Sequence, residues 1–443
     1  MRGLLFALAI GATLLAVCSL RSQTAPRQGA ARGGERARAA GPTLFFTGSD
    51  DGYLEPCGCD DGLLGGLPRR HTLLQILGAE RDDALLLSNG RLVTGSTAID
   101  AMKFDTLLVA MSTLGYDAIA LTERELALGR ERLAEMAQFL GEECPWLATN
   151  LEDAAADEGA ALTPLAAKRA LVREIAGGET LVVALVAPGR APLYRAADPG
   201  VRISDPAAAV RAEIERRPGA AKVIALAQMS IEEAGELARA VPRLDLVIVQ
   251  GPEEEDHPAH SPVDVGTTSI VTTGRKGKFL GTFRFGGPGE LDEYRAEAVV
   301  EELDKSPDVR ELVDRLYRDR LLDEKPIEAL FERRRTPGGA VYAGAEEGSC
   351  ASCHPKAWEI WAASKHAHAW KTLVDQDLPP APGDRKSRLK HAIWDPDCVR
   401  CHVTGFGEVS GYAGLEKEAL RRDAPLVNVW LENAGVSIAS DAV

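Results

Sequence analysis

Short apolar runs alternate with longer amphipathic segments between residues 43 and 288. The runs are rich in β-branched and aliphatic residues and are short, so they predict strands of a sheet that is covered on both faces. The predicted strands are residues 43–48, 84–87, 117–121, 180–186, 222–227 and 244–249. The predicted helices between them are residues 66–79, 105–114 and 125–140. This alternation predicts an α/β domain over residues 43–288.

The pattern changes towards the end of this block. Residues 269–273 and 279–285 are two more apolar runs, and the sequence Gly-Arg-Lys-Gly at 274–277 separates them. Two such runs around a short glycine-containing turn predict a β-hairpin. Residues 289–340 are highly charged and contain a strongly amphipathic stretch at 309–322. They predict a solvated helical linker.

The N-terminus predicts export. Residues 1–20 are an apolar run behind the single charge of Arg2, which is typical of a secretory signal peptide. Residues 21–42 are rich in Arg, Ala and Gly and predict a flexible tether. Cys18 follows Leu-Ala-Val, which is similar to a lipidation signal, although Val17 stands where such signals carry a smaller residue. Cleavage, lipidation at Cys18 and an uncleaved anchor are the alternatives, and all three place the protein in the periplasm or elsewhere outside the cytoplasm. The last two predict membrane association through the N-terminus.

Four of the eight cysteines lie in two copies of the pattern Cys-x-x-Cys-His. The residues of the two copies are Cys350, Cys353, His354, Cys398, Cys401 and His402. Two thiols at this spacing add to the two vinyl groups of one haem, and the adjacent His is then the proximal ligand of the iron. A zinc site would not require a His after each pair. The repeated motif therefore predicts two covalently bound haem c groups in a mainly helical domain over residues 341–443.

The distal iron ligands are predicted among three further histidines, which are His366, His368 and His391. Pro355 suits the start of a helix, and residues 355–373 predict one continuous helix. On such a helix His366 lies about 18 Å from His354, at about 1.5 Å per residue, so the two cannot share one iron. His366 is therefore predicted to reach the second haem, with His391 as the local candidate for the first. His366 and His368 point about 200° apart on a helix, so they cannot share one iron position. The alternative for His368 and His391 is an ordinary surface histidine.

Four stretches of the α/β block carry a resemblance to a known family. They are 52–59 (GYLEPCGC), 65–70 (GGLPRR), 115–120 (GYDAIA) and 277–281 (GKFLG). Together with the order of the elements, they resemble the calcineurin-like metallophosphoesterases, in the branch of the 5'-nucleotidases. The resemblance implies a metallophosphoesterase-type sandwich and, in active members, two metal ions held by carboxylates, an Asn and histidines.

The haem segment resembles the multihaem cytochromes c that are often fused to such domains. Residues 361–369 (WAASKHAHA) and 395–406 (DPDCVRCHVTGF) carry this resemblance. It favours His366, which stands in the sequence Ser-Lys-His, as the distal ligand.

The metal positions implied by the phosphoesterase resemblance are altered in this chain. The replacements are Ser49, Asp51, Arg91, 122–125 (TERE), Gln228 and 251–255 (GPEEE). Arg91 places a cation where a bridging carboxylate belongs, and a dinuclear site needs several anionic and imidazole ligands. The domain is therefore predicted to lack the metal ligands and to be catalytically inactive. His257 and His260 follow the last motif, and we interpret them as part of a surface loop rather than as metal ligands.

The function predicted from these motifs is electron transfer with redox partner proteins. The 51 Lys and Arg residues stand against 66 Asp and Glu, and a net charge of -15 gives no support for nucleic-acid binding. The sequence predicts an exported multihaem cytochrome c with a phosphoesterase-like scaffold. The alternatives are a metal-dependent 5'-nucleotidase with a haem domain, a ligand-binding module with redox sensing, and a haem-centred oxidoreductase with an open iron position.

Overall fold

The computed structural model describes most of the chain between residues 43 and 403. The described residues are 43–56, 63–79, 83–155, 162, 165, 167–251, 256–259, 261–287, 290–324, 350–377 and 391–403. The predicted signal peptide, the tether and Cys18 lie outside these residues. No helix in the described part of the chain is long and apolar enough to cross a membrane.

Two six-stranded sheets form the centre of the molecule. The strands of the first, in order across the sheet, are β14 (Glu293–Ala298), β13 (Phe279–Arg284), β1 (Thr43–Thr47), β2 (Ala84–Ser88), β3 (Ala118–Ala120) and β4 (Trp146–Leu147). The strands of the second are β11 (Val263–Val265), β12 (Thr268–Thr273), β10 (Leu246–Gln250), β9 (Lys222–Gln228), β7 (Gly178–Val186) and β6 (Ala170–Ile175). Strands β1 to β4 are parallel, as are β7, β9, β10 and β12. A separate antiparallel pair joins β5 (Leu151–Asp153) to β8 (Val201–Ile203).

The described helices surround the sheets and continue into the haem segment. They are α1 (Leu67–Leu77), α2 (Ala98–Thr113), α3 (Glu123–Leu126), α4 (Arg130–Leu140), α5 (Ala191–Ala197), α6 (Pro206–Arg216), α7 (Ile231–Ala240), α8 (Pro307–Val313), α9 (Asp319–Glu324), α10 (Cys350–Cys353), α11 (Pro355–Ala362), α12 (Ala369–Asp377) and α13 (Pro396–His402). Short 3₁₀ turns cover Gly141–Glu143, Pro188–Arg190, Lys365–His368 and Ala392–Trp394. A π-helical turn at Asp314–Arg318 joins α8 to α9.

The two sheets pack face to face and carry helices on their outer faces. Successive side chains of a strand point to opposite faces, so Leu44 and Phe46 of β1 enter the core between the sheets, whereas Phe45 enters the core beneath α1 and α2. The outer face of the second sheet is covered by α6 and α7, which contribute Val210 and Leu237. Both faces of each sheet are thus buried. The predicted α/β sandwich is confirmed, and the six predicted strands match within two residues at each end.

Two of the predicted helices have different bounds. Helix α2 begins at Ala98 rather than at residue 105, because Thr97 and Asp100 form a capping box there. The predicted helix 125–140 is divided into α3 and α4. Gly129 has φ 94° between them, a left-handed conformation that favours glycine and interrupts the helix.

The predicted hairpin of residues 269–285 is wrong. Strand β12 pairs with β10 and β11 of the second sheet, whereas β13 pairs with β1 and β14 of the first. The intervening segment carries the chain from one sheet to the other. The backbone N–H of Lys276 donates to the carbonyl of Ser49 at 2.7 Å, which fixes this crossing to the loop after β1.

The prediction of a solvated helical linker is wrong in two respects: its first part is a strand, and the helices that follow bury one face. Residues 293–298 are the edge strand β14 of the first sheet. The following helical run from α8 to α9 buries Val309, Val313, Tyr317 and Leu321, which recur at helical spacing and pack in the core that contains α1 and α2. Most charged residues of this run lie on the opposite face, but Arg318 is buried.

The single helix predicted for residues 355–373 is also wrong. Helix α11 ends at Ala362, and Ser364 has extended backbone with φ −87° and ψ 160°. The hydroxyl of Ser364 donates to the carbonyl of Trp361 at 2.7 Å, a local bond that competes with helix continuation. A 3₁₀ turn and then α12 follow. His354 and His366 therefore do not lie on one straight helix, and the separation of about 18 Å predicted for such a helix does not apply.

Candidate functional site

Polar side chains collect where the parallel strands of both sheets end. Ser49 and Asp51 follow β1, Arg91 follows β2, Gln228 ends β9 and Arg275 follows β12. Ligands bind at the carboxyl ends of the strands in open α/β sheets. Four of the positions predicted to replace metal ligands are thus brought to one edge of the sandwich.

Asp51 is held by two guanidinium groups at this edge. Its Oδ1 accepts a hydrogen bond from Nε of Arg91 at 3.0 Å, and its Oδ2 accepts one from Nη2 of Arg275 at 2.9 Å. All three residues are buried. Burial raises the pKa of Asp51, and the charges of Arg91 and Arg275 oppose that shift. Both carboxylate oxygens are therefore engaged by cations of the chain itself.

The neighbouring Asp50 is paired with a cation that the sequence analysis missed. Arg70 of α1 donates to Oδ1 of Asp50 and, at 3.4 Å, to the hydroxyl of Tyr116. That hydroxyl lies 3.0 Å from Oγ1 of Thr47. Burial opposes the charged form of Arg70, but the carboxylate of Asp50 prevails and raises the pKa of the guanidinium. Arg70 lies in the stretch 65–70 that carried the family resemblance, yet nothing in its spacing connects it to Asp50.

Asn89 and Gln228 connect the two sheets. The Nδ2 group of Asn89 donates to the carbonyls of Ala227 at 3.2 Å and Ile248 at 3.1 Å. Nε2 of Gln228 donates to the backbone carbonyl of Asn89 at 2.5 Å and to its Oδ1 at 3.0 Å. Gln228 stands where the family has a histidine, and its amide group joins the sheets at this edge.

Residues 122–125 form a helix cap instead of presenting metal ligands. The carboxylate of Glu125 accepts from the backbone N–H groups of Leu92 at 2.6 Å and Thr122 at 3.0 Å, and it is fully buried. Burial raises the pKa of Glu125. Arg124 donates to the carbonyl of Thr94 at 2.8 Å, and its side chain is exposed.

The loops after β1 and β2 have unusual backbone conformations. Ser49, Asp51 and Arg91 have φ of 51°, 53° and 59°, a left-handed region that is costly for residues other than glycine. The N–H of Ser49 donates to the carbonyl of Gly90 at 2.9 Å, and the N–H of Asp51 donates to the carbonyl of Arg91 at 3.2 Å. The loops therefore hold each other in this conformation and aim the side chains of Asp51 and Arg91 at one another.

The remaining predicted positions either contact other residues or lie outside the described residues. Nδ1 of His257 lies 3.0 Å from the carbonyl of Pro258, and its ring packs on Phe279 with centroids 4.2 Å apart. Residues 252–255 and His260 lie outside the described residues. Within the described ranges, no group of three or more His, Cys, Asp or Glu residues is arranged to hold a metal ion.

The second haem motif begins on a well-capped helix. Asp395 is the N-cap of α13, and its side chain accepts from the N–H of Asp397 at 3.0 Å. Pro396 occupies the first helical position, which suits its fixed φ. Cys398 and Cys401 are one turn apart, so their side chains lie on one side of the helix. Cys398 is half-buried, Cys401 is exposed, and burial raises the pKa of the Cys398 thiol.

Helix α13 is packed against the α/β part of the molecule. Ile393, Trp394 and Val399 are buried in the same apolar cluster as Met102 of α2 and Tyr317 of the π turn. The second motif therefore lies on a surface formed by helices that pack on the first sheet.

Two ion pairs join the same surfaces. Nη1 of Arg318 lies 2.7 Å from Oδ2 of Asp395, and both side chains are 5% exposed. Lys103 of α2 is paired with Asp397, whose side chain is half exposed. Neither cation belongs to a motif, so neither could be identified from the sequence.

The orientation of His402 suits an iron ligand. Its Nδ1 lies 2.5 Å from the backbone carbonyl of Ala369. A carbonyl oxygen only accepts, so Nδ1 is the ring nitrogen that donates this hydrogen bond, and Nε2 is the nitrogen left for a metal. A histidine that ligates a metal commonly donates its other ring N–H in this way. The donor set of α13 therefore fits a covalently attached haem.

The first haem motif has a different setting. His354 is the N-cap residue of α11, and its carbonyl accepts from the N–H of Trp358 at 3.0 Å. Cys353 and His354 are exposed, and none of the described side chains of α11 is buried. The rings of Trp358 and Trp361 lie 5.0 Å apart, and Ile360 is 74% exposed. This helix presents an apolar surface beside the motif.

The three predicted distal ligands occupy two places. His366 and His368 are exposed on the 3₁₀ turn that directly precedes Ala369, the residue that holds His402. His391 has a left-handed φ of 58°, and its Nε2 lies 3.6 Å from Oδ1 of Asp319. The structure thus brings His366 and His368 towards the second motif, and the ligand assignments stay predictions.

The C-terminal segment is similar to known cytochromes. Residues 349–425 match the family described as cytochrome c554 and c-prime. Over 66 residues, the chain is 38% identical to cytochrome c-554 of Nitrosomonas europaea, and this match covers 14% of the chain and 27% of that protein. The chain thus spans about a quarter of the length of this relative. The match implies covalently bound haem c in the segment.

The α/β part is similar in fold to two solved structures. The sulfate thiohydrolase SoxB of Thermus thermophilus superposes with a TM-score of 0.53 at 17% identity, over 67% of this chain and 69% of that one. A 5'-nucleotidase precursor from the same species gives a TM-score of 0.51 at 22% identity, over 66% of this chain and 60% of that one. These likenesses show the fold, which is that of the calcineurin-like phosphoesterases.

Proposed function

We propose that this chain is an exported multihaem cytochrome c that transfers electrons, and that its phosphoesterase-like domain is an inactive scaffold. The orientation of His402 carries this proposal. Its Nδ1 proton is donated to the carbonyl of Ala369, which leaves Nε2 available to iron in a motif whose two cysteines are positioned on one helix. The match of residues 349–425 to a cytochrome family supports it.

Each motif residue has a role in this proposal. The haem-attaching thiols are those of Cys350, Cys353, Cys398 and Cys401. His354 and His402 are the proximal ligands, and His366, His368 and His391 are the distal candidates. When bound, haem c supplies a one-electron redox centre. The protein's own contribution is to anchor each haem, to orient each imidazole and to exclude water with apolar side chains such as Trp394 and Trp370.

The proposed inactivity of the phosphoesterase-like domain is supported by its charges. Arg91 and Arg275 occupy both oxygens of Asp51, and Arg70 occupies Asp50. Two divalent cations would have to displace guanidinium groups that are already paired and buried, which is unfavourable in charge and in space. The edge that would bind substrate in an active relative is closed by these ion pairs.

The proposed location outside the cytoplasm is supported by the sequence of residues 1–20 and by the need of c-type maturation for that compartment. Redox partner proteins there are the proposed partners. Membrane attachment through Cys18 is one of three outcomes for the N-terminus.

The haem proposal is tested by mass spectrometry of mature protein made with haem-maturation machinery. The expected mass includes two haems that survive denaturation. A Cys398→Ala/Cys401→Ala variant should retain one haem, as should the matched Cys350→Ala/Cys353→Ala variant. Protein that binds zinc and no haem would refute the proposal.

The scaffold proposal is tested with nucleotide and phosphodiester substrates in the presence of manganese, zinc or calcium. No metal-dependent turnover is expected. Turnover at about 1 per second or faster, which is typical of enzymes, would show that the domain is active.

A further inference from the structure

Two basic residues of the α/β part contact the helix that bears the second haem motif. Arg318 comes from the π turn between α8 and α9, and Lys103 comes from α2. Arg318 binds the N-cap residue Asp395, and Lys103 binds Asp397 one turn before the second cysteine of the motif. Both acidic residues lie within three positions of Cys398. The charged groups next to this haem site are therefore supplied jointly by two parts of the molecule.

The Arg318–Asp395 pair is buried and has defined geometry. The guanidinium lies over the ring of Tyr317, 5.1 Å from its centroid, and donates to Oδ2 of Asp395. Oδ1 of Asp395 caps the helix through the N–H of Asp397, and its backbone carbonyl accepts from the N–H of Cys398 at 3.0 Å. Removing one member of such a pair leaves the other as an uncompensated buried charge. That charge would act on the adjacent haem with little screening, because buried interactions are screened weakly.

We propose that Arg318 and Lys103 are positioning residues for the haem attached to Cys398 and Cys401, and that the balance of the Arg318–Asp395 pair sets the reduction potential of that haem. This inference rests on the proposed haem-binding function. It assigns the phosphoesterase-like domain a redox role: its helices hold the attachment helix and supply the cations beside it.

The direction in which the reduction potential shifts follows from the charge that each substitution leaves beside the haem. Oxidised haem iron carries one more positive charge than reduced iron. A buried carboxylate without its partner stabilises the oxidised form and lowers the potential, whereas a buried guanidinium without its partner raises it. Arg318→Gln and Asp395→Asn should therefore shift the potential of one haem in opposite directions. Asn still accepts the cap hydrogen bond, so Asp395→Asn preserves the helix start.

The experiment is a potentiometric titration of full-length mature protein, followed by haem absorption. For Arg318→Gln, the equilibrium constant for reduction of one haem should fall about tenfold, which is about 59 mV for one electron. Asp395→Asn should raise it by a similar factor, and Arg318→Lys should restore most of the wild-type value. Lys103→Met should give a smaller decrease, because its pair is partly exposed. The matched control is Arg320→Gln, since Arg320 bridges α9 to Asp105 of α2 and also pairs with Glu324 of its own helix.

The outcomes separate this inference from the proposed function. A wild-type protein without covalent haem would refute the function itself. Two haems whose potentials are unchanged in Arg318→Gln and Asp395→Asn, or shifted in the same direction by both, would refute the inference. If Arg318→Gln does not fold, the upward shift in Asp395→Asn and the nearly wild-type value in Arg318→Lys decide the question.

Discussion

At the residue scale, Asp51 shows which charges meet at the carboxyl edge of the sandwich. The family resemblance implies that active relatives of this fold hold metal cations at this edge. Here Arg91 and Arg275 supply the positive charge. The sequence could predict the loss of the metal positions, because Arg91 stands in a recognisable motif. It could not predict Arg275, because that residue follows a strand of the other sheet and belongs to no motif. Long-range charge pairing depends on how the sheets stack.

Asp51→Asn should destabilise the folded protein by about 3 kcal/mol, because it removes the buried carboxylate charge that Arg91 and Arg275 share. Urea unfolding followed by circular dichroism measures the change. The control is Arg295→Gln on β14, whose pair with Glu293 is exposed; its effect should stay within about 0.5 kcal/mol. Equal effects in the two variants would mean that the Asp51 cluster contributes no more than a surface pair.

The distal ligands are also a question at the residue scale. His366→Ala should convert one haem from low spin to high spin, because loss of an axial imidazole leaves an open or water-bound iron. His368→Ala should do less. Magnetic circular dichroism and electron paramagnetic resonance report the spin states. A change in His368→Ala alone would move the assignment to His368, and no change in either would make His391 the next candidate.

At the scale of elements, the local pattern of apolar residues predicts the buried strands, but it does not predict how they are connected. β1, β2 and β9 were predicted because a strand covered on both faces must be apolar throughout. The edge strand β14 falls in the segment predicted to be helical, because its sequence EYRAEA is rich in Glu and Ala, which are depleted in strands, although charged and apolar residues alternate in it. The segment between β12 and β13 has the amino-acid composition of a hairpin turn. The composition of a turn does not determine which sheet each strand joins. Ser364 interrupts the haem-segment helix through a single hydrogen bond that spacing rules do not include.

The stability of helix α13 should depend on buried apolar contacts more than the stability of α11 does. Trp394→Ala removes a buried ring from the cluster shared with α2 and should lower the free energy of unfolding by about 4 kcal/mol. Ile360→Ala on α11 is the matched control, because that side chain is exposed, and its effect should be within about 0.5 kcal/mol. Denaturant titration measures both. A small effect of Trp394→Ala would indicate that α13 is only loosely held.

At the scale of the whole molecule, the described haem segment and the α/β part share one apolar cluster, the ion pairs Arg318–Asp395 and Lys103–Asp397, and the contact of His391 with Asp319. They should therefore unfold together. In a denaturant titration, far-ultraviolet circular dichroism of the sheets and the Soret absorption of the second haem should show the same midpoint. Separate midpoints, with the haem signal lost first, would show that the second motif is an independent unit.

The pairing of β1 with β13 also determines the order in which the chain can fold. Phe46 pairs with Gly281, more than 230 residues later, so the first sheet cannot close until most of the chain has been made. Contacts between such distant segments form slowly. Until then β1 has an unsatisfied edge, which is a template for pairing with other chains. Strand β1, the first of the described strands, pairs early with β2 but waits longest for its second neighbour, and its open edge is where we expect premature pairing with other chains during synthesis.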